Sequence, residues 1–193
     1  GRALRNVREA VDGEIEAEYR KMNLFDAHVD GKIIKESRFF LAGKKPVLTK
    51  LNGFKVGMSV CYDLRFPELY RNYAKTKVDI ICVPSSFTRT TGRAHWEILL
   101  RARAIENLVY VIAAAQGGRH ANGRETFGDS LIVNPWGEVL ARRTGGPGHV
   151  MAEFDRTHLH NLRTSLPSIR HRRLRCAGRT SVAGGKDAGS DQA

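Results

Sequence analysis

What this sequence lacks narrows it quickly. No uninterrupted apolar run reaches the roughly 20 residues that a membrane-spanning helix needs, so a transmembrane helix is not expected. The opening residues, Gly-Arg-Ala-Leu-Arg-Asn, hold no apolar secretory-signal core. Cysteine is scarce: Cys61, Cys82 and Cys176 are odd in number and have no metal-ligand spacing, which argues against a disulfide framework or a zinc site. His28, His120, His149, His158, His160 and His171 show no such spacing either. These absences together predict a cytoplasmic protein with reduced thiols and no metal. Acidic residues are in deficit, with 20 Asp and Glu against 32 Lys and Arg, for a net charge of +12. Such a balance suits nucleic acid or an acidic membrane surface. Yet the basic residues are spread along the chain. The densest cluster, Arg170 to Arg175 with His171, has no interleaved aromatics, and no nucleic-acid motif accompanies it. It reads as a solvated surface, so neither nucleic acid nor membrane is expected as a partner.

What remains is ordinary globular material. At 193 residues and 41% hydrophobic content, the chain can bury a real core, and one domain is the default. Helical and strand signals alternate, which argues α/β. Residues 55–61, 79–83 and 109–115 are short Val/Ile-rich runs that read as buried strands. Residues 67–76 and 93–107 read as helices; in the second, Trp96, Leu99, Leu100, Arg103 and Asn107 recur at helical spacing, which makes Trp96 a core residue. Pro135-Trp136-Gly137 sits between two strand signals as a hairpin turn, and residues 148–154 give a last strand. From residue 176 onward the chain is small and polar and is expected to be disordered. The domain is therefore expected over residues 1–175, with a tail over 176–193.

The stretch from Lys55 to Leu69 is the most informative. Small and apolar residues lead to Cys61, a polar run follows, and Pro67 opens an amphipathic segment. That pattern is strand, sharp turn, helix, with a thiol at the turn. Proline is pre-organised for the first helical position. The positive end of that helix would favour a thiolate at Cys61, and a thiolate is a nucleophile. An isolated cysteine here would instead read as a small buried hydrophobe.

Neighbouring segments decide the matter by resemblance. Tyr19-Arg20-Lys21-Met22-Asn23-Leu24-Phe25-Asp26, Glu36-Ser37 with Ala42-Gly43, Cys61-Tyr62-Asp63-Leu64-Arg65-Phe66-Pro67-Glu68 and Pro84-Ser85-Ser86-Phe87 lie in family-like order. Thr91 to Glu97, Arg101 to Asn107, Asn134 to Glu138 and Leu166-Pro167 with His171-Arg172-Arg173 continue it. In combination these segments resemble the nitrilase superfamily, the carbon–nitrogen hydrolases. Ala113 to His120 is similar to the branch containing deaminated-glutathione amidase and omega-amidase. The resemblance implies a four-layer αββα sandwich, present here in part because the opening strands, a helix and the family's first catalytic glutamate have no match. Only about 20 residues precede Lys21, so the resemblance describes an N-terminally truncated member. Asn6 to Val11 is a poor copy of an expected apolar strand before the Asp12-Gly13 turn. Glu9, Glu14, Glu16 and Glu18 are carboxylates outside the family's glutamate context and read as a solvated strand face.

By the same resemblance Cys61 is the nucleophile, Lys21 and the Tyr62 backbone N–H stabilise the oxyanion, and Glu36 orients the lysine. Arg65, four residues after Cys61, is the candidate for substrate recognition, and by the resemblance Phe87 and Thr91 line the same pocket; the implied substrate is a small carboxylate amide hydrolysed through a thioester with loss of ammonia. No cofactor is implied, and family members commonly assemble as homo-oligomers. Each residue taken singly has a plainer reading. Lys21 would be a surface lysine and Glu36 a solvated carboxylate. Arg65, whose planar fork suits a carboxylate, would otherwise pair with Asp63 or Glu68, and Phe87 would be core. His95 could partner a cysteine, but in its motif it and Glu97 read as structural. A catalytically impaired homologue acting through subunit association is the second functional reading, and a basic nucleic-acid binder the third.

Overall fold

The structure, a computed structural model, describes residues 2–9, 14–29, 31–121 and 123–174, with Arg8 and Glu9 described by backbone alone. The tail expected over 176–193, with Cys176, and the Asp12-Gly13 turn lie outside the described residues. The chain opens with an antiparallel hairpin, β1 (Arg5–Glu9) on β2 (Ile15–Arg20). A second hairpin, β3 (Asp26–Val29) on β4 (Lys32–Lys35), follows. Next come β5 (Leu48–Leu51), β6 (Phe54–Met58), α1 (Pro67–Lys75), β7 (Ile80–Cys82), α2 (Arg89–Asn107) and β8 (Tyr110–Ala113). A short ladder of β9 (Gly117–Arg119) and β10 (Glu125–Phe127) precedes β11 (Ser130–Val133) and β12 (Val139–Arg143). The described chain ends with α3 (Arg156–Ser165) and α4 (Ser168–His171).

The centre is one mixed six-stranded sheet in the order β12-β11-β8-β7-β6-β5. β6, β7 and β8 run parallel, joined through α1 and α2, as parallel neighbours require a crossover. Strand alternation then assigns the faces. Ile81, Val83, Val109, Val111, Leu131 and Val133 point to α1 and α2 and form the main core with Tyr70, Tyr73, Trp96 and Leu100. Val56, Ile80 and Tyr110 point the other way and meet Leu159 of α3. Gly57 lets α1 sit close to the sheet, because a Cβ there would lie 3.0 Å from the Tyr73 ring. The fold is thus α/β, and the six-stranded sheet supplies one sheet of the expected sandwich. The remaining described strands form three two-stranded ladders.

Several boundaries differ from the sequence reading. The strand expected over 55–61 stops at Met58; there the chain turns, with the Val60 amide donating to Asp63 and Cys61 at φ +50°. The helix expected over 93–107 starts at Arg89, since Gly92 is tolerated within it and packs on Phe127. Residues 148–154 form no strand among the described residues. Their side chains still alternate, but toward packing: Phe154 stacks on Tyr110 at 4.7 Å and lies 6.1 Å from Phe54.

Candidate active site around Cys61

Cys61 opens a single 3₁₀ turn, Cys61–Arg65, between β6 and α1. Its φ of +50° is unfavourable for a side chain bearing a Cβ, and the surroundings hold it there. The Cys61 N–H donates to the Pro84 carbonyl at 3.0 Å. Asp63, wholly buried, accepts from the Val60 N–H (2.9 Å), the Tyr19 hydroxyl (2.8 Å) and both the backbone and side-chain nitrogens of Asn23 (2.9 Å each). From behind, Arg103 donates to the Leu64 carbonyl through Nε (3.0 Å) and a terminal nitrogen (2.8 Å). The Tyr19 and Asn23 bonds tie this turn to the segment carrying Lys21.

Lys21 is 1% exposed and donates to Glu36 Oε2 at 2.5 Å. The same oxygen accepts the Phe25 N–H at 2.7 Å. Burial of a lysine demands such a partner, so the surface-lysine reading of Lys21 does not hold. Tyr62 N–H belongs to the first turn after Cys61, where amide donors lack intrahelical acceptors. The Tyr62 ring packs on Phe25 at 4.8 Å and Phe66 at 5.2 Å.

A small cleft of about 20 Å³ is lined by residues that include Cys61, Tyr62, Glu36, Arg65, Phe87 and Thr91; Lys21 lies behind Glu36 and does not line it. Room for about one water remains, so a substrate would need side chains at the mouth to move. Arg65 makes no ion pair with Asp63 or Glu68; its guanidinium lies over the Tyr62 and Phe87 rings, 5.9 and 5.4 Å from their centres, and 3.3 Å from His95 Nδ1. Phe87 is both core, stacked on Trp96 at 4.8 Å, and cleft wall. The Thr91 hydroxyl bonds that of Thr88 at 2.7 Å. His95 therefore touches Arg65 rather than a cysteine, and Glu97 pairs with Arg101 and Arg142 on the outer surface. Glu18 is held by Arg5 and Arg20, and neither it nor Glu14 or Glu16 lines the cleft.

Burial pushes the Cys61 thiol above its ordinary pKa; the Lys21 charge, a hydrogen bond from the Ser86 backbone and Arg124 pull it back, while Glu36 pushes it up. The expectation that α1 favours the thiolate is corrected here. The helix begins at Pro67, one 3₁₀ turn beyond the thiol, and Lys21 is the chief opposing influence instead. Burial alone raises Cys82, to about 11. The sequence reading missed Arg124, Ser86, Phe25 and Thr88 as cleft residues. Arg124 reaches in from the β9–β10 ladder and donates to the Ser86 carbonyl (2.9 Å) and hydroxyl (2.8 Å). Among the described residues, no group of three or more His, Cys, Asp or Glu could hold a metal ion, and no helix is long and apolar enough to cross a membrane.

Residues 8–164 match the carbon-nitrogen hydrolase family. Deaminated glutathione amidase of Synechocystis sp. (strain PCC 6803 / GT-S) is 45% identical over 166 residues, covering 84% of this chain and 61% of that protein. The chain thus spans less than two thirds of that relative's length. The crystal structure of the C. elegans NitFhit protein superposes with a TM-score of 0.80 at 41% identity, over 89% of this chain and 42% of that one. A mutant of the amidase from Nesterenkonia sp. AN1, showing the result of Michael addition of acrylamide at the active site cysteine, gives a TM-score of 0.64 at 29% identity, over 80% of this chain and 58% of that one.

Proposed function

This chain belongs to the carbon–nitrogen hydrolase family, and from that premise we propose that Cys61, Lys21 and Glu36 form the working centre of an amidase acting on a small carboxylate amide. The observation that carries the proposal is the buried Lys21–Glu36 pair whose carboxylate lines one cleft with a cysteine held at positive φ, and whose lysine charge acts on that thiol. Cys61 Sγ attacks the amide carbonyl and forms a tetrahedral intermediate. Lys21 and the Tyr62 N–H stabilise its oxyanion, which is where fixed donors contribute most. As the C–N bond breaks, the thiol proton, carried by Glu36, passes to the leaving nitrogen, and ammonia departs from a Cys61 thioester. Water then cleaves the C–S bond, giving a carboxylate and restoring the thiol. Glu36 Oε2 orients Lys21, which leaves Oε1 available to relay a proton. Arg65 receives the substrate's carboxylate. The names of the relatives, deaminated glutathione amidases, support deaminated glutathione as the substrate.

The test is ammonia release from deaminated glutathione, with mass spectrometry of the quenched protein. A thioester on Cys61, absent in Cys61→Ala, is the expected result. Ammonia release that survives Cys61→Ala would overturn the assignment. One observation favours a second reading. Glu36 is the one carboxylate among the described residues lining the cleft, and it is already engaged by Lys21. A chain without a further proton carrier would turn over slowly and act through association with like subunits. Exposed Ile98 and Ile105, seven apart on α2, offer an apolar face for that contact. Sedimentation of the wild type and Ile98→Asp decides it: association lost in the variant supports this role, and a monomeric wild type removes it.

A further inference from the structure

A second cavity, of about 790 Å³, lies between the ends of α1 and α2 and the α3–α4 pair. The described residues place an unusual set of groups around it. Lys75 and Lys77 come from the end of α1, Arg156 and His160 from one face of α3, and Arg170 and Arg172 from α4 and beyond. One acid, Asp79, faces them, and Arg163 takes it at 3.2 Å. Arg163 also donates to the Leu108 and Val78 carbonyls, so it is a strut that holds α3 to the sheet. Arg156 lies 4.2 Å over the Phe54 ring. Lys75, Lys77, His160, Arg170 and Arg172 then face the cavity with no acidic partner among the described residues. Arg172 Nε is buried with no acceptor among the described residues, which fixes that guanidinium's stem in the cavity wall.

Converging like charges repel one another, and low-dielectric walls focus their field on whatever enters. An anion with several oxygens would relieve the repulsion, and guanidinium groups suit phosphate in particular. The floor is different in character, being lined by Leu108, Leu159, Pro167 and Ile169. The volume falls within the range of about 300–1,000 Å³ usual for small-molecule sites. No cysteine lines it, so it is separate from the Cys61 cleft. We infer that this cavity binds a small organic phosphate, the phosphates against the basic wall and the apolar body on the floor. Two members of the Arg170–Arg175 cluster, read from sequence as a solvated surface, thereby gain a ligand.

The test is calorimetric titration of the full 193-residue chain at physiological salt with adenosine triphosphate, inorganic tripolyphosphate and duplex DNA as probes. The expected result is saturable one-to-one binding of the nucleotide, weaker binding of tripolyphosphate, and at least tenfold loss of nucleotide affinity in both Arg172→Gln and Lys77→Gln. Lys77 is exposed, so its variant keeps the test valid if Arg172→Gln fails to fold. Alkylation of Cys61 should proceed at an unchanged rate in both. Unaltered nucleotide affinity in Lys77→Gln, or no saturation at physiological salt, would overturn the inference. Tripolyphosphate binding as tightly as the nucleotide would remove the role of the apolar floor. DNA competing with equal strength would make the site a nucleic-acid surface instead.

Discussion

At the scale of single residues, the two described cysteines differ in surroundings more than in burial. Both thiols are raised by desolvation, but only Cys61 has Lys21 and Arg124 to offset it. Iodoacetamide should therefore label Cys61 faster than Cys82 at neutral pH, and Lys21→Met should slow Cys61 labelling because a thiolate-stabilising charge is gone. Equal rates at the two cysteines would contradict this. Under the proposed function, Arg65 bears on substrate rather than on the thiol. Replacing a planar fork by a point charge loses a bidentate, charge-assisted bond of about 1.5–3 kcal/mol. Arg65→Lys should then raise KM for carboxylate-bearing amides by about 10–100-fold, with little change for neutral amides. A KM unchanged for both would assign Arg65 to structure. The grouping of Glu36, Cys61 and Arg65 at one cleft, with Lys21 paired to Glu36, was legible because each sits in an ordered motif. Arg124 was not, because its β9–β10 ladder reaches the cleft through folded contacts, the Thr88–Thr126 bridge and the Phe127 N–H to Phe87 carbonyl bond.

At the scale of elements, α2 bears most on the site's shape. Its first turn supplies Thr91, and Gly92 lies where α2 meets β10. A Cβ on Gly92 would fall 2.3 Å from the Phe127 Cβ, so either the helix or the strand must move. Gly92→Ala should cost about 1–3 kcal/mol, read as a lower denaturant midpoint with an unchanged slope. It should also disturb the Thr88–Thr91 contact at the cleft. A wild-type midpoint would show that β10 yields freely. Elements with strong periodicity, α1 and the β11–β12 hairpin, were readable from sequence. So were the buried runs of β7 and β8. α3 was missed because its apolar set is thin, with Leu159 and Leu162 as its buried residues. Tertiary anchors hold it instead: the Asp155 cap on the His158 N–H (2.8 Å) and the Arg163 strut. Residues 148–154 show the reverse case, a strand-like alternation with no ladder partner among the described residues.

At the scale of the whole molecule, three tyrosine hydroxyls are buried in the core and held neutral. Tyr19, Tyr70 and Tyr73 are each 0% exposed. Burial is the largest influence on all three and raises their pKa values, with the Asp63 charge adding to the effect. Their hydroxyls bridge parts of the site and sheet: Tyr19 to Asp63, Tyr70 to Ser59, and Tyr73 to the Met58 carbonyl. In the unfolded chain a tyrosine ionises near pH 10. Because the folded values lie higher, the stability tied to these groups is complete below about pH 10 and is lost as pH rises toward the folded values. Each group costs about 1.4 kcal/mol per pH unit in that window, so the three together remove about 4 kcal/mol by one unit above it. A domain stable by about 5–15 kcal/mol cannot absorb much more than that. The expected outcome is cooperative alkaline unfolding within about two pH units above pH 10. Phenolate absorbance from the buried tyrosines and loss of the far-ultraviolet dichroism should then rise along a single curve. Phenolate signal from these tyrosines near pH 10 with the dichroism intact would show that the core admits solvent and that the hydroxyl bonds do not hold the site to the sheet.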